Sequence, residues 1–287
     1  MKGILLAGGS GTRLYPVTMV ISKQLLPVYD KPMVYYPLSL LMLAGIREVL
    51  LISTPQDISR FELLLGDGSD WGMKIQYKVQ DKPEGIAQAF VLAKDFLDGQ
   101  PSCLVLGDNV LYGAKLEDLL VKASKLTNGA YVFSYIVADP ERYGVVVFDK
   151  TGKATHIEEK PKEHISKYAI PGIYFYDSRA SEIASRLKPS ARGELEVTDL
   201  NKFYLNEGTL NVLPLGRGYA WLDMGTFDSL LDASEYIAVI ERRQSLKVAC
   251  LEEIAYRNKW ISKKEVLSKA DELGKTKYAD YLRALEF

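Results

Sequence analysis

The feature that most constrains this chain is a short apolar run that feeds straight into a glycine-rich loop. Ile4-Leu5-Leu6-Ala7 reads as a strand, and Gly8-Gly9-Ser10-Gly11-Thr12 follows it. Arg13 closes the loop, and Lys23 comes ten residues later. A strand that ends in a loop with little side chain lets backbone N–H groups approach an anion closely. Two cations nearby would complete a cradle for a polyphosphate. In open α/β sheets such a loop stands at the carboxyl end of a strand, where ligands bind.

Other nucleotide motifs fit less well. A P-loop would close with Gly-Lys-Ser/Thr, whereas this loop closes with Thr12-Arg13. The dinucleotide fingerprint G-x-G-x-x-G finds its first two glycines at Gly9 and Gly11 but Leu14 in third place. Asp30 stands at a suitable distance downstream, so that reading stays open, as does a plain tight turn.

Composition sets the frame. The chain has 287 residues, 47% hydrophobic and 25% charged, enough for a large core. A formal net charge of −1 gives no basic surplus for nucleic acid. Cys103 and Cys250 are far apart and read as buried thiols rather than a disulfide framework. The start lacks a signal-peptide layout and no apolar run reaches membrane length, so a cytoplasmic protein without membrane contact is expected.

Strand-like runs are expected at 3–7, 48–53, 75–80, 102–107, 130–137, 144–149, 168–176 and 211–215. Helical patterns at 33–44, 57–65, 85–97, 115–126, 179–187 and 196–206 alternate with them. That alternation predicts an α/β fold with a doubly wound, mostly parallel sheet. From about 226 the pattern turns helical, at 227–244, 251–258, 262–273 and 276–285, with a capping box from Ser262 to Glu265 and Gly274 as a C-cap. Residues 1–226 therefore read as a catalytic domain and 227–287 as a helical tail suited to subunit contacts or regulation.

Asp108 follows the apolar run Cys103-Leu104-Val105-Leu106, and Asp223 follows Ala220-Trp221-Leu222. Two carboxylates at separate strand ends can hold one Mg²⁺, which favours oxygen ligands and substrate phosphates. Turn or cap roles are the plain alternative. Gln80 ends a strand ahead of Pro83 and Gly85, and its amide could pair with a pyrimidine edge. The two histidines, His156 and His164, have no metal spacing and no cysteine partner.

The run GGSGTRLYP…SKQLLPVYDKP resembles the signature of the sugar-1-phosphate nucleotidylyltransferases, G-G-x-G-T-R-L-x-P followed by a lysine. Further segments agree in order over nearly the whole chain. The resemblance implies a Rossmann-like sheet and Mg²⁺-dependent transfer of a thymidylyl group from dTTP to glucose 1-phosphate, giving dTDP-glucose and pyrophosphate for deoxysugar nucleotide synthesis. It implies that Leu6, Gly8, Gly9, Ser10, Gly11, Thr12, Arg13, Gln24, Gln80, Pro83, Gly85 and Asp108 bind the nucleotide. It assigns Lys23, Asn109, Tyr143, Gly144, Glu159, Lys160, Ile170 and Arg192 to the sugar phosphate, and Asp108 and Asp223 to the metal. Arg13, Lys23, Asp108 and Asp223 form its catalytic set. Two departures from the family pattern are Met224, where Thr is usual, and Leu251, where Pro is usual. Members of this length are often homotetramers or dimers, with a C-terminal interface site for end product. The alternatives are UTP or another sugar 1-phosphate as substrate, or a non-catalytic regulatory homologue. Such homologues typically lose the loop arginine, the lysine or a metal aspartate, all of which are present here.

Overall fold

Strands buried on both faces read as unbroken apolar runs, and three such runs lie side by side at the centre of this chain. The computed structural model describes residues 1–9 and 11–286. Its strands are β1 (Lys2–Leu6), β2 (Pro27–Val28), β3 (Lys31–Pro32), β4 (Glu48–Ser53), β5 (Lys74–Val79), β6 (Ser102–Leu106) and β7 (Asn109–Gly113). They continue with β8 (Ala130–Ile136), β9 (Gly144–Phe148), β10 (Ala154–Glu159), β11 (Tyr168–Ala169), β12 (Ile173–Tyr176), β13 (Leu210–Pro214) and β14 (Tyr219–Asp223).

One large sheet runs in the order β10-β9-β11-β8-β12-β6-β1-β4-β5, with β13 paired to β8. β6, β1, β4 and β5 are parallel to one another. β12 then enters antiparallel between β6 and β8, and the β8, β11, β9 and β10 pairings are antiparallel too. Alternate residues of each central strand face opposite layers. Leu5, Leu51 and Val105 join one core with Leu38, Leu41 and Phe61. Ile4, Leu50 and Leu104 join the other with Phe90, Tyr176 and Leu200. Helices α1 (Tyr35–Leu43), α2 (Ile58–Leu65) and α5 (Leu116–Ser124) supply the first layer. α3 (Gln88–Leu92), α4 (Lys94–Leu97), α6 (Ala180–Ser185) and α7 (Val197–Asn206) supply the second. The α/β class with layers on both faces therefore holds.

Three differences from the sequence expectation matter for the site. The run at 168–176 is two strands, because Pro171 lacks an N–H and the Gly172 N–H instead donates to Asn109 Oδ1 at 3.1 Å. The expected helix 85–97 begins only at Gln88 and divides at Ala93, because residues up to Ala87 are drawn across to Leu195. A separate ribbon of β7 and β14 pairs Asp223 opposite Asn109. Neither strand was among the expected runs, because each is only five residues long and its partner lies more than a hundred positions away.

The change of character near 226 is the start of α8 (Phe227–Gln244), capped by a Thr226–Ser229 box. α9 (Leu251–Arg257), α10 (Lys263–Glu272) and α11 (Lys277–Ala284) follow, and the Ser262–Glu265 box is formed at the start of α10. The helices are not an isolated appendage. Ala233 and Ile237 of α8 are buried with Val28, Met33, Tyr36 and Met224. No helix among the described residues is long and apolar enough to cross a membrane. Cys103 and Cys250 are free thiols, buried as expected.

Candidate active site

β1 ends with Leu6, and the chain turns away beside the end of β6, where the Gly107 N–H donates to Leu6 O at 2.9 Å. Gly9 and Gly11 have φ of +107° and +58°, backbone that side chains resist. Gly8 is needed for space: a Cβ there would stand 2.6 Å from Gln80 Oε1. Gln80 and Gln24 are both buried, and Gln24 Nε2 donates to Gly8 O at 3.3 Å. Gln80 Nε2 donates to Gln88 Oε1 at 2.5 Å, which leaves its own carbonyl toward the loop. Ser10 lies outside the described residues.

Arg13 is on a 3-10 turn, Thr12–Leu14, and its guanidinium lies against Gly225. A Cβ on Gly225 would be 2.8 Å from Arg13 Nη2. Lys23 is on a second 3-10 turn, Lys23–Leu25, and forms an ion pair with Asp108. Pro83 is exposed ahead of Gly85, which has φ +104°. The Leu195 N–H donates to Glu84 O at 2.7 Å and the Ala87 N–H to Leu195 O at 3.0 Å. The expected base loop is thus clipped to the segment that carries Arg192.

The two expected metal carboxylates are neighbours. The register of β7 with β14 sets Asp223 opposite Asn109, and the Met224 N–H donates to Asp108 O at 3.0 Å. Burial favours the neutral form of both, and their responses differ. Lys23, together with hydrogen bonds from Lys23 and Asn109, outweighs burial and holds Asp108 below the usual carboxylate range. Asp223 is pushed up to about 6 by burial and by the charge of Asp108, only partly relieved by Lys23, Arg13 and Arg142. Met224 is buried in the core beneath them, so its departure from the family pattern is a matter of packing.

A cavity of about 620 Å³ opens beside this pair. Asp108, Asn109, Tyr143, Gly144, Glu159, Lys160, Ile170, Arg192, Asp223 and Arg13 all line it. Gly144 lies close under Thr198 and Glu159: a Cβ would be 2.9 Å from Thr198 Oγ1. Thr198 Oγ1 donates to Glu159 Oε2. Burial pushes the Glu159 carboxyl up, and that hydrogen bond offsets part of the rise. Lys160 adopts φ +46°, a strained conformation of the kind found at functional sites.

Two residues sit differently from a bare ligand contact. Asn109 is a connector: its Oδ1 accepts from Gly172 N–H and from Trp221 Nε1 at 2.6 Å, and its Nδ2 donates to Asp108 at 2.9 Å. Arg192 is sheathed in carboxylates, with Nη2 2.7 Å from Glu196, 3.1 Å from Glu194 and 3.6 Å from Glu159. The cavity also brings in Arg142, Thr198, Glu196 and Trp221, which the sequence did not single out. Position gave some signal, since Arg142 precedes Tyr143-Gly144 and Trp221 is two residues before Asp223. Thr198 and Glu196 carried none. His156 is exposed on β10, 3.3 Å from Glu158, and neither histidine lines the cavity.

Comparison with known proteins agrees with this geometry. The family model for nucleotidyl transferase matches residues 2–239. A glucose-1-phosphate thymidylyltransferase of Neisseria gonorrhoeae is 56% identical over 282 residues, covering 98% of each chain. One from Xanthomonas campestris is 57% identical over 284 residues, 99% of this chain and 96% of its own. A solved Bacillus anthracis structure, assigned to the same activity and crystallised with sucrose, is 42% identical with a TM-score of 0.76, covering 82% of this chain and 94% of that one. A UDP-glucose pyrophosphorylase complexed with UDP-glucose shares the fold at a TM-score of 0.71 and 22% identity, covering 84% of this chain and 99% of that one. Matched by that family model over most of its length and by these relatives over nearly all of it, the chain belongs to the nucleotidyl transferase family.

Proposed function

We propose that this enzyme transfers a thymidylyl group from dTTP to glucose 1-phosphate, releasing pyrophosphate and forming dTDP-glucose. The observation that carries the reading is the junction at Arg13: it lines a small pocket of about 200 Å³ with Gly9, Gly11, Thr12 and Lys23 and also lines the larger polar cavity with Asp108 and Asp223, while Lys23 is ion-paired to Asp108. The full-length relatives named for this activity supply the identity of the substrates.

An oxygen of the sugar phosphate attacks the α-phosphorus in line with the departing pyrophosphate. The new P–O bond forms as the bridging α–β bond breaks, and the electron pair leaves on pyrophosphate. A phosphomonoester is largely dianionic at neutral pH, so no general base is required, in keeping with a cavity that no histidine lines. The loop backbone holds the triphosphate. Arg13 meets the β- and γ-phosphates and steadies the leaving group. Lys23, Lys160 and Arg192 reduce repulsion between the two phosphate-bearing substrates. Gln24 and Gln80 read the nucleotide. Glu159 accepts from sugar hydroxyls.

Asp108 and Asp223 fit a divalent cation by their chemistry. Both are hard oxygen donors, and the raised Asp223 marks a site short of positive charge. No cluster of three or more acidic, histidine or cysteine ligands occurs among the described residues. A donor set completed by phosphates and water suits Mg²⁺. When bound, the ion would neutralise and polarise the reacting phosphates.

We assign residues 227–287 to subunit contacts and regulation. Phe227, Leu231 and Val239 are exposed at helical spacing on α8, which suits a dimer or tetramer. A second cavity of about 380 Å³, lined by Tyr112, Lys115, Lys247, Cys250 and Arg257, suits an end-product nucleotide sugar. Purely competitive inhibition by the final deoxysugar nucleotide would remove that regulatory role. A cytoplasmic location matches the nucleotide substrate.

The central test is pyrophosphate release with dTTP, glucose 1-phosphate and Mg²⁺, run beside UTP, CTP and ATP. The expected result is fast release with dTTP that a chelator abolishes. Faster release with UTP would move the base assignment. Release from none of them, across a panel of sugar phosphates, would leave a regulatory homologue.

A further inference from the structure

One arginine of the cavity has an unmet bonding demand. Arg142 ends a 3-10 turn, Pro140–Arg142, and its Nη1 donates to Asp139 at 2.7 Å. Its guanidinium lies over the Tyr143 ring, 5.3 Å from the centroid. Tyr143 in turn rests on Trp221, with ring centroids 4.9 Å apart. This platform fixes the guanidinium at the cavity wall. Its Nη2 is buried yet has no hydrogen-bond partner, and Asp223 Oδ2 stands 3.6 Å away, beyond hydrogen-bond reach. Buried donors are seldom left unpaired, because the desolvation they suffer goes uncompensated.

The contrast with Arg192 is direct. The two side chains are equally exposed, at 37%. Arg192 Nη2 already faces three carboxylates, so a phosphate must compete with all of them. Arg142 has a single hydrogen-bonded carboxylate, Asp139, which is itself 40% exposed and so weakly held. The side chain as a whole is 37% exposed on the cavity lining, so a small rotation presents its unpaired nitrogen, and a planar guanidinium fork matches two phosphate oxygens. Its place beside Asp223 is where the phosphates of the two substrates must meet.

We propose that Arg142 is a further phosphate-binding residue, donating to the phosphate of the sugar phosphate as that dianion enters the cavity. The proposal rests on the nucleotidylyl-transfer reading above and adds a contact to it. The rival role is purely positional, with Arg142 steadying Asp223 and never touching substrate.

The test is to make Arg142→Gln and Arg142→Lys and to measure the affinity of the metal-free proteins for glucose 1-phosphate by calorimetry. Steady-state kinetics in each substrate and in Mg²⁺ complete it. A charge-assisted contact predicts glucose 1-phosphate affinity weaker by about tenfold or more in Arg142→Gln, with partial rescue in Arg142→Lys. The KM for dTTP should stay within about twofold, since a contact to one substrate is lost without touching the other. Unchanged glucose 1-phosphate affinity in Arg142→Gln would overturn the proposal. So would a change confined to the Mg²⁺ requirement, which belongs to the positional role. If Arg142→Gln melts early, affinity is read below its melting point and Arg142→Met serves as a second uncharged variant; wild-type glucose 1-phosphate affinity in both would also overturn the proposal. Wild-type protein that releases no pyrophosphate from any substrate pair removes the transfer reading and this contact together. A working wild type whose variant behaves identically removes the contact alone.

Discussion

The two ends of the cleft are built from different materials. The end proposed for the nucleotide is mostly backbone and buried amides: glycines at positive φ, Gly8 tight against Gln80, and Gln24 tied to Gly8 O. The end proposed for the sugar phosphate is mostly charge, with Arg142, Glu159, Arg192, Glu194 and Glu196 around one cavity. Backbone donors hold a polyphosphate in a fixed shape and tolerate little change. A charged wall holds its groups by mutual compensation, so single losses are shared among neighbours. Between the two stand Asp108 and Asp223, adjacent yet pushed in opposite directions by what surrounds them.

The sharpest way to break this picture is at the shared carboxylates. Asp223→Asn should cut turnover by about a thousandfold, the scale of losing a metal-linked charge contact of several kcal/mol. The metal-free variant should nonetheless be more stable at pH 7. Asp223 titrates near 6 in the fold against 3.8 ordinarily, so its protonated form favours folding. That contribution is complete below about 3.8 and is lost as pH rises through about 6. At pH 7 the asparagine should gain on the order of 1–3 kcal/mol, and the gain should vanish in acid. Denaturant titration at pH 7 and pH 4 checks it; an asparagine variant less stable at pH 7 would sink the charge argument.

Arg13→Ala should lower turnover by about a hundredfold or more with an unchanged melting point, as expected of a lost charge contact to the leaving group. Near-normal turnover in the folded variant would strike Arg13 from the catalytic set. Gly225→Ala should act in the same direction by roughly tenfold, through displacement of Arg13 rather than backbone strain.

Gly85→Ala tests the clip between the two ends. It combines φ +104° with a Cβ 2.4 Å from Leu195 O. It should cost on the order of 1–3 kcal/mol of stability and raise the KM for both substrates. A KM change for dTTP alone would mean that the two ends move independently. Gln80→Leu is the mildest change, expected to weaken discrimination among bases by roughly tenfold while leaving the sugar phosphate KM alone. A nucleotide panel reads it directly.

What could be read from the sequence follows the same division. The glycine loop, Arg13 and Lys23 are contiguous, and an apolar strand announces them. Central strands such as 48–53 and helices such as 227–244 matched because burial and helical periodicity act locally. The ribbon of β7 and β14 was illegible because its pairing joins residues more than a hundred positions apart. Thr198 was missed because its partner Glu159 comes from a separate strand, whereas Glu196 stands only four residues from Arg192 and looks like an ordinary helix-start residue until that turn folds. Asn109 was read as a ligand contact, but its side chain also ties two distant segments, at Gly172 and Trp221, to its neighbour Asp108.

The sequence by itself determined the alternating layers, the place of the anion loop at the end of the first strand, and the helical ending. Those depend on hydrophobic period and on what glycine and proline permit, properties that each short segment carries alone. Only the tertiary structure decided which carboxylate is held ionised and which is pushed toward its neutral form, which arginine is sheathed and which keeps an unpaired nitrogen, and that the Glu84–Ala87 segment is clipped to Leu195. Those depend on distance, burial and charge, partly between segments far apart in the chain and partly between neighbours whose geometry the fold sets, and such interactions take a sign and a size only once the separation is fixed.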